Sequence, residues 1–174
     1  FIVNYPKSKR YVELNKLKKL ININKRKSQF VAVLVKPDKD ILEKIKDLKF
    51  DYFQLYNVNP ERTILIKNKY NKKIISAITI EKQEDVESYK LYEKISDIIL
   101  FDGKGYEQSI GFDHEFLNKV PTTINKMLAG NIQYDDELDK YLKITDIIDI
   151  SGSLETSGEK DISKINTFLN NIKK

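Results

Sequence analysis

The sequence predicts an α/β protein in which helices cover a parallel sheet. Three observations point there. Short apolar runs alternate along the chain with amphipathic runs whose apolar residues recur every three or four positions. The short runs are apolar throughout rather than alternating with polar residues, as in strands buried on both faces. Each strand–helix pair takes roughly 20–30 residues, the length of a βα unit with short loops.

Taken in order, "FIVNY" is the first strand, and "VELNKLKKLINI" follows with Leu14, Leu17 and Ile21 on one helical face. "FVAVLV" is the next strand, and "DKDILEKIKDLKF" the next helix, with Ile41, Leu42, Ile45 and Leu48 on its apolar side. "DYFQLYN" precedes "NPERTILIKNKY", where Pro60 suits a first helical turn. "KIISAITI" precedes "EDVESYKLYEKI", and "DIILFD" precedes an irregular loop and "FDHEFLNKV". "INKMLAG" precedes "YDDELDKYLKI", and "DIIDIS" precedes "EKDISKINTFLNNIKK". Seven strand–helix units result, with no second-domain linker, so residues 1–174 read as one domain. An open doubly wound sheet usually has a glycine-rich turn after its first strand. "FIVNYPKSKR" has none, which favours a (β/α)8 barrel lacking its first unit.

Composition narrows the functional classes. The chain has 174 residues, 40% hydrophobic and 33% charged, and no apolar run of the roughly 20 residues that span a bilayer. Zero cysteines exclude disulfides, thiolate catalysis and cysteine-based zinc sites in this chain. The net charge of +5 arises from 31 basic and 26 acidic residues that are interleaved along the helices. That pattern describes a solvated lysine surface rather than a nucleic-acid patch, with "NKRKSQ" the densest cluster. A reducing cytoplasm is compatible with the absence of cysteine, and a small anionic substrate would gain modestly from the positive field. Neither nucleic-acid nor membrane partners are expected. The sequence leaves oligomeric state open.

In a barrel, residues just after each strand gather at one face and form the active site. Those positions hold Arg10, Lys36, Gln54, Asp102, Gly130 and Asn131, and Ser151 with Gly152. The last two loops, "LAGN" and "ISGS", carry glycine and serine where backbone N–H groups can approach an anion closely. A short helix beginning near Ser153 would direct its positive end at a phosphate. Equally, Gly130 and Gly152 can simply turn the chain. Asp102 closes a buried strand and can serve as a general acid or cap the following loop. Arg10 can fork onto a carboxylate or stand exposed among lysines. His114, the sole histidine, has a structural role as its plainer alternative.

In order along the chain, these residues resemble the phosphoribosylanthranilate isomerase family of tryptophan biosynthesis. "YPKSKRYV" resembles that family's Ser-Pro-Arg or Ser-Lys-Arg motif, "FQLYN" its Gln-Leu-His-Gly and "IILFD" its Leu-Leu-Asp. "MLAGNI" is similar to Leu-Ala-Gly-Gly-Leu, and "IDISGSLETSGEKD" to Asp-Val-Ser-Ser-Gly-Val-Glu followed by Gly-x-Lys-Asp. The resemblance implies a (β/α)8 barrel and a cofactor-free, metal-free Amadori rearrangement. In it N-(5′-phosphoribosyl)anthranilate becomes 1-(2-carboxyphenylamino)-1-deoxyribulose 5-phosphate. It further implies that Asp102 is the acid, that Arg10 holds the anthranilate carboxylate and that Gln54 contacts substrate. Gly130, Asn131, Ser151, Gly152 and Ser153 would form the phosphate cradle.

The chain departs from the family pattern in several places. The family's base is a cysteine on its first strand, and this chain has no cysteine and starts at the counterpart of the second strand. The expectation is therefore a fragment of an ordinary isomerase. The alternative is a non-catalytic phosphate-ligand-binding or assembly protein on an eroded barrel. Tyr56 and Asn57 replace the usual His-Gly, and the loop "GKGYEQSIGFDHEF" lacks a Gly-Gly-Thr-Gly run. His114 stands where tryptophan is usual, and "SGSLE" carries its glycine one position early. Indole-glycerol-phosphate synthase shares the barrel, but Lys36 alone at a strand exit is too little to support it.

Overall fold

A computed structural model describes residues 1–105 and 110–172; residues 106–109 and the last two residues of the chain lie outside them. The chain forms two compact units, Phe1–Ala77 with Lys90–Ile98, and Ile78–Tyr89 with Ile99–Lys174.

The first unit is built from α1 (Leu14–Leu20), β1 (Val31–Val35), α2 (Lys39–Ile45), β2 (Tyr52–Tyr56), α3 (Pro60–Tyr70) and the start of β3 (Lys73–Ile80). β1 pairs in parallel with β2, Val33 opposite Gln54, and β2 with β3, Gln54 opposite Ile75. The starts of α2 and α3 follow ordinary capping chemistry. Asp38 accepts from Ile41 N–H before α2, and Asn59 accepts from Arg62 N–H before α3, where Pro60 occupies the first turn. α3 ends on Asn71 at φ 49°, a left-handed C-cap that asparagine tolerates.

"FIVNY" is reduced to isolated parallel bridges from Ile2 to Val33 and to Tyr11. Side-chain chemistry takes over after Val3. The Asn4 amide donates to Val35 O at 2.9 Å and accepts from Val35 N–H at 2.8 Å, standing in for a backbone pair. Pro6, without an N–H, cannot resume a ladder.

The second unit holds a 3-10 stretch at its start (Gln83–Leu91, the last two residues belonging to the first unit), then β4 (Ile98–Gly103), a 3-10 turn (His114–Lys119), β5 (Lys126–Leu128), α4 (Asp139–Leu142) and β6 (Ile147–Ile148). A 3-10 turn (Gly152–Leu154), the hairpin β7 (Glu155–Thr156) and β8 (Glu159–Lys160), and α5 (Ile162–Ile172) complete it. β4 pairs in parallel with β5, and β5 with β6, placing Phe101, Leu128 and Ile148 in one row. The expected helix over "EDVESYKLYEKI" is the 3-10 stretch. Its buried residues Val86 and Tyr89 lie three apart, the spacing that stacks in a 3-10 helix.

A repeated latch secures the starts of the strands. Asp51, Asp97 and Asp146 stand just before β2, β4 and β6. Each accepts through its carboxylate from the backbone N–H of Phe30, Ile74 or Lys126 respectively, at 2.6 to 2.8 Å. Each also donates its own N–H to the same residue's carbonyl, at 2.8 to 3.0 Å. Lys25 and Lys67 bind the first two carboxylates at 2.7 and 2.9 Å. Losing such a latch leaves a strand N–H unpaired, which costs about 1–3 kcal/mol.

Candidate active site

Strand pairing in the second unit brings three strand exits side by side. Asp102 is the fifth residue of β4, held between buried Phe101 and buried Gly103. Ala129 N–H donates to Phe101 O at 2.9 Å, and Asp149 N–H to Leu128 O at 2.8 Å, so the parallel register continues past the strands. Asp102, Gly130 with Asn131, and Ser151 to Ser153 therefore leave neighbouring strands at the same end, strands that lie about 4.8 Å apart.

Both loops have the backbone that anion cradles use. Gly130 is buried with φ 102° and Asn131 follows at φ 55°, a left-handed pair that glycine and asparagine accommodate. Among the described residues, no protein acceptor takes the backbone N–H of Asn131, Gly152 or Ser153. The Ser153 hydroxyl is buried without a partner among the described residues. Such groups cost free energy unless something accepts from them.

The expected helix near Ser153 is only the three-residue turn Gly152–Leu154, too short to present a helix dipole. α5 begins later and is capped by Asp161, which accepts from Ser163 N–H at 2.8 Å and Lys164 N–H at 3.3 Å. Backbone donors rather than a helix end face the loop. Of the glycines flanking this stretch, Gly158 (φ 83°) with Ser157 (φ 54°) turns the β7–β8 hairpin. The two positive φ angles are those a two-residue hairpin turn requires.

Two charged residues here went unnoticed in the sequence. Lys160 donates to Ser151 O at 2.8 Å, to Ser151 Oγ at 3.1 Å and to Glu155 Oε1 at 2.7 Å, so a cation braces the serine loop from the hairpin. Its only sequence signal was the "GEKD" match. Asp149 leaves β6 two residues before Ser151. Burial pushes its carboxyl above the ordinary carboxylate range, with nearby positive charge, Lys160 included, acting the other way.

A carboxyl with a raised folded pKa stabilises the fold fully only below its unfolded value, roughly 3.9. That contribution is lost as pH rises through the folded value. Asp149→Asn, neutral at every pH, is therefore expected to melt near the wild-type temperature at pH 4 and above it at pH 8. Thermal melts at the two pH values check this; the same difference at both would rule it out.

In the first unit, Arg10 is partly exposed and its N–H donates to Ser8 Oγ at 3.2 Å. Gln54 is not at a strand exit. It is the third of the five residues of β2, buried, and its amide donates to Tyr56 OH at 3.3 Å. The residue leaving β2 is Asn57, at φ 55°. Lys36 leaves β1 exposed, at φ 43°.

Residues 2–171 match the family described as N-(5′-phosphoribosyl)anthranilate (PRA) isomerase. The chain belongs to the PRA isomerase family. The PRA isomerase of Rhizobium johnstonii is 30% identical over 181 residues, covering 98% of this chain and 82% of the relative. That of Brucella canis is 32% identical over 176 residues, covering 95% and 79%. The crystal structure of the Thermotoga maritima enzyme superposes with a TM-score of 0.84 at 22% identity, over 99% of this chain and 86% of that one. A PRA isomerase in complex with reduced 1-(o-carboxyphenylamino)-1-deoxyribulose 5-phosphate superposes at 0.83, also at 22% identity. The (β/α)8 class expected from the sequence is the fold these PRA isomerases share. No helix among the described residues is long and apolar enough to cross a membrane.

Proposed function

We propose that this chain acts on N-(5′-phosphoribosyl)anthranilate through the residues gathered at the exits of β4, β5 and β6. Asp102 gives a proton to the ribose ring oxygen as the C1–O bond breaks, and the anthranilate nitrogen lone pair forms the C1 iminium. Loss of the C2 proton to a base gives the enolamine, which becomes the ketone. No residue of this chain is assigned that base; the sequence contains no cysteine. The loops at Gly130–Asn131 and Ser151–Ser153 hold the phosphate through backbone N–H groups and the Ser153 hydroxyl. The resemblance to the family assigns Arg10 to the anthranilate carboxylate and Gln54 to substrate contact. The chemistry is acid–base throughout and uses no cofactor. A single barrel domain and a cytoplasmic location belong to the same proposal.

The observation that carries it is the adjacency of Asp102 to two loops rich in unpaired donors, in a chain of this family. The test is calorimetric titration with the reduced product analogue and with inorganic phosphate, alongside turnover followed by loss of substrate fluorescence. We expect the analogue to bind at micromolar concentration and phosphate to compete with it, about −8 kcal/mol for the former. Failure of both to bind would overturn the site. Binding without turnover would favour the phosphate-ligand-binding alternative.

A further inference from the structure

We propose that His114 is a positioning residue for the phosphate loop, its imidazole Nε2–H holding the Gly130 carbonyl and so aiming the Asn131 N–H at the anion. This rests on the phosphate assignment above. His114 Nε2 lies 3.2 Å from Gly130 O, sixteen residues away in sequence. A carbonyl oxygen only accepts, so the proton sits on Nε2. The Gly130–Asn131 peptide is planar and trans, as every peptide bond described here is. Its C=O and N–H therefore point in opposite directions. Pinning the oxygen toward His114 turns the Asn131 N–H away from it, and that N–H has no protein acceptor among the described residues.

The imidazole is itself held. Phe112 meets it edge-on at 4.9 Å between ring centroids and Tyr141 at 5.3 Å. The contacts then close into a ring around the loop. Tyr141 OH donates to Asp136 Oδ2 at 2.6 Å, and the same oxygen accepts from Gln133 N–H at 2.9 Å. The Gln133 amide donates to Asn131 O at 3.3 Å and Asn131 Oδ1 at 3.1 Å, returning to the residue after Gly130. Gly111 packs close enough that a Cβ there would lie 3.0 Å from Asn131 Cβ. Surroundings this determined can hold the two positive-φ residues in one conformation. Burial lowers the pKa of His114 and Lys140 acts the same way, while the bond to Gly130 and the charges of Asp113 and Asp136 oppose them. The neutral Nε2–H tautomer is thus the working donor near neutral pH.

The test compares His114→Phe, which keeps a packed ring but removes the donor, with His114→Gln, which can restore an N–H. Affinity for inorganic phosphate and for the reduced product analogue is measured, with melting temperature as a folding control. His114→Phe is expected to weaken both about tenfold, and His114→Gln to recover most of the loss. In turnover the deficit is expected in KM, with kcat nearly unchanged. Wild-type affinity in His114→Phe, or equal losses in the two variants, would overturn the assignment. Should either variant fail to fold, the wild-type tautomer decides. With one histidine in the chain, its ring ¹⁵N shifts are unambiguous, and a proton on Nδ1 with a bare Nε2 would refute the proposal. Absence of phosphate binding by the wild type would instead refute the phosphate site itself.

Discussion

Asp102→Asn is expected to lower kcat for N-(5′-phosphoribosyl)anthranilate by about 10²–10⁴-fold, the usual contribution of a positioned acid. That range corresponds to about 3–5 kcal/mol of barrier. Asparagine has nearly the shape of aspartic acid and keeps an acceptor oxygen, so packing between Phe101 and Gly103 is preserved. What it lacks is a transferable proton at the moment the ring C–O bond breaks. The reduced product analogue has no such bond to break, so its affinity is expected to change less than threefold. This separation distinguishes an acid from a loop cap. A cap would shift melting temperature and analogue binding together and leave kcat nearly intact. Turnover within threefold of wild type, in a variant that folds and binds the analogue, would remove Asp102 from the mechanism.

Asp102 was legible because it follows a run of buried apolar residues, which fixes where the strand ends without knowledge of its neighbours. The two loops were legible for the same reason, with glycine and serine closing the apolar runs "INKMLAG" and "DIIDIS". Gln54 misled because "FQLY" reads equally as strand exit or mid-strand; pairing with Val33 and Ile75 decides that it is mid-strand. His114 could be singled out only as a lone histidine, since its partner Gly130 belongs to another strand exit. Lys160 escaped because it acts from β8, across the β7–β8 hairpin, on the serine loop and Glu155, and Asp149 because burial of its carboxyl has no local sequence signal. That hairpin depends on Ser157 and Gly158 at positive φ, whereas "SLETSGEKD" reads as a loop leading into a helix. In each case the hidden part is a contact between segments that no local pattern encodes.

Phe53→Ala is expected to be the most damaging substitution to stability, at about 3–5 kcal/mol. Phe53 is fully buried as the second residue of β2, where its partners are Ala32 on β1 and Ile74 on β3, both also fully buried. Phe50 and Tyr70 each lie 6.4 Å from its ring centroid, and Phe50 in turn packs on Phe1 at 6.0 Å. Lys72 Nζ lies over the same ring at 6.0 Å. Truncation strips one aromatic from this chain of contacts and leaves a cavity bounded on two sides by hydrogen-bonded strands, which cannot collapse without breaking register. Against a total stability of about 5–15 kcal/mol, the loss consumes a large fraction of the margin. With a urea m-value of about 2 kcal/mol/M, the unfolding midpoint is expected to fall by roughly 1.5–2.5 M with m unchanged. Phe53→Leu refills much of the volume and is expected to cost less than half as much. A midpoint within about 0.5 M of wild type in Phe53→Ala would mean that the site collapses freely despite the strands on either side of it.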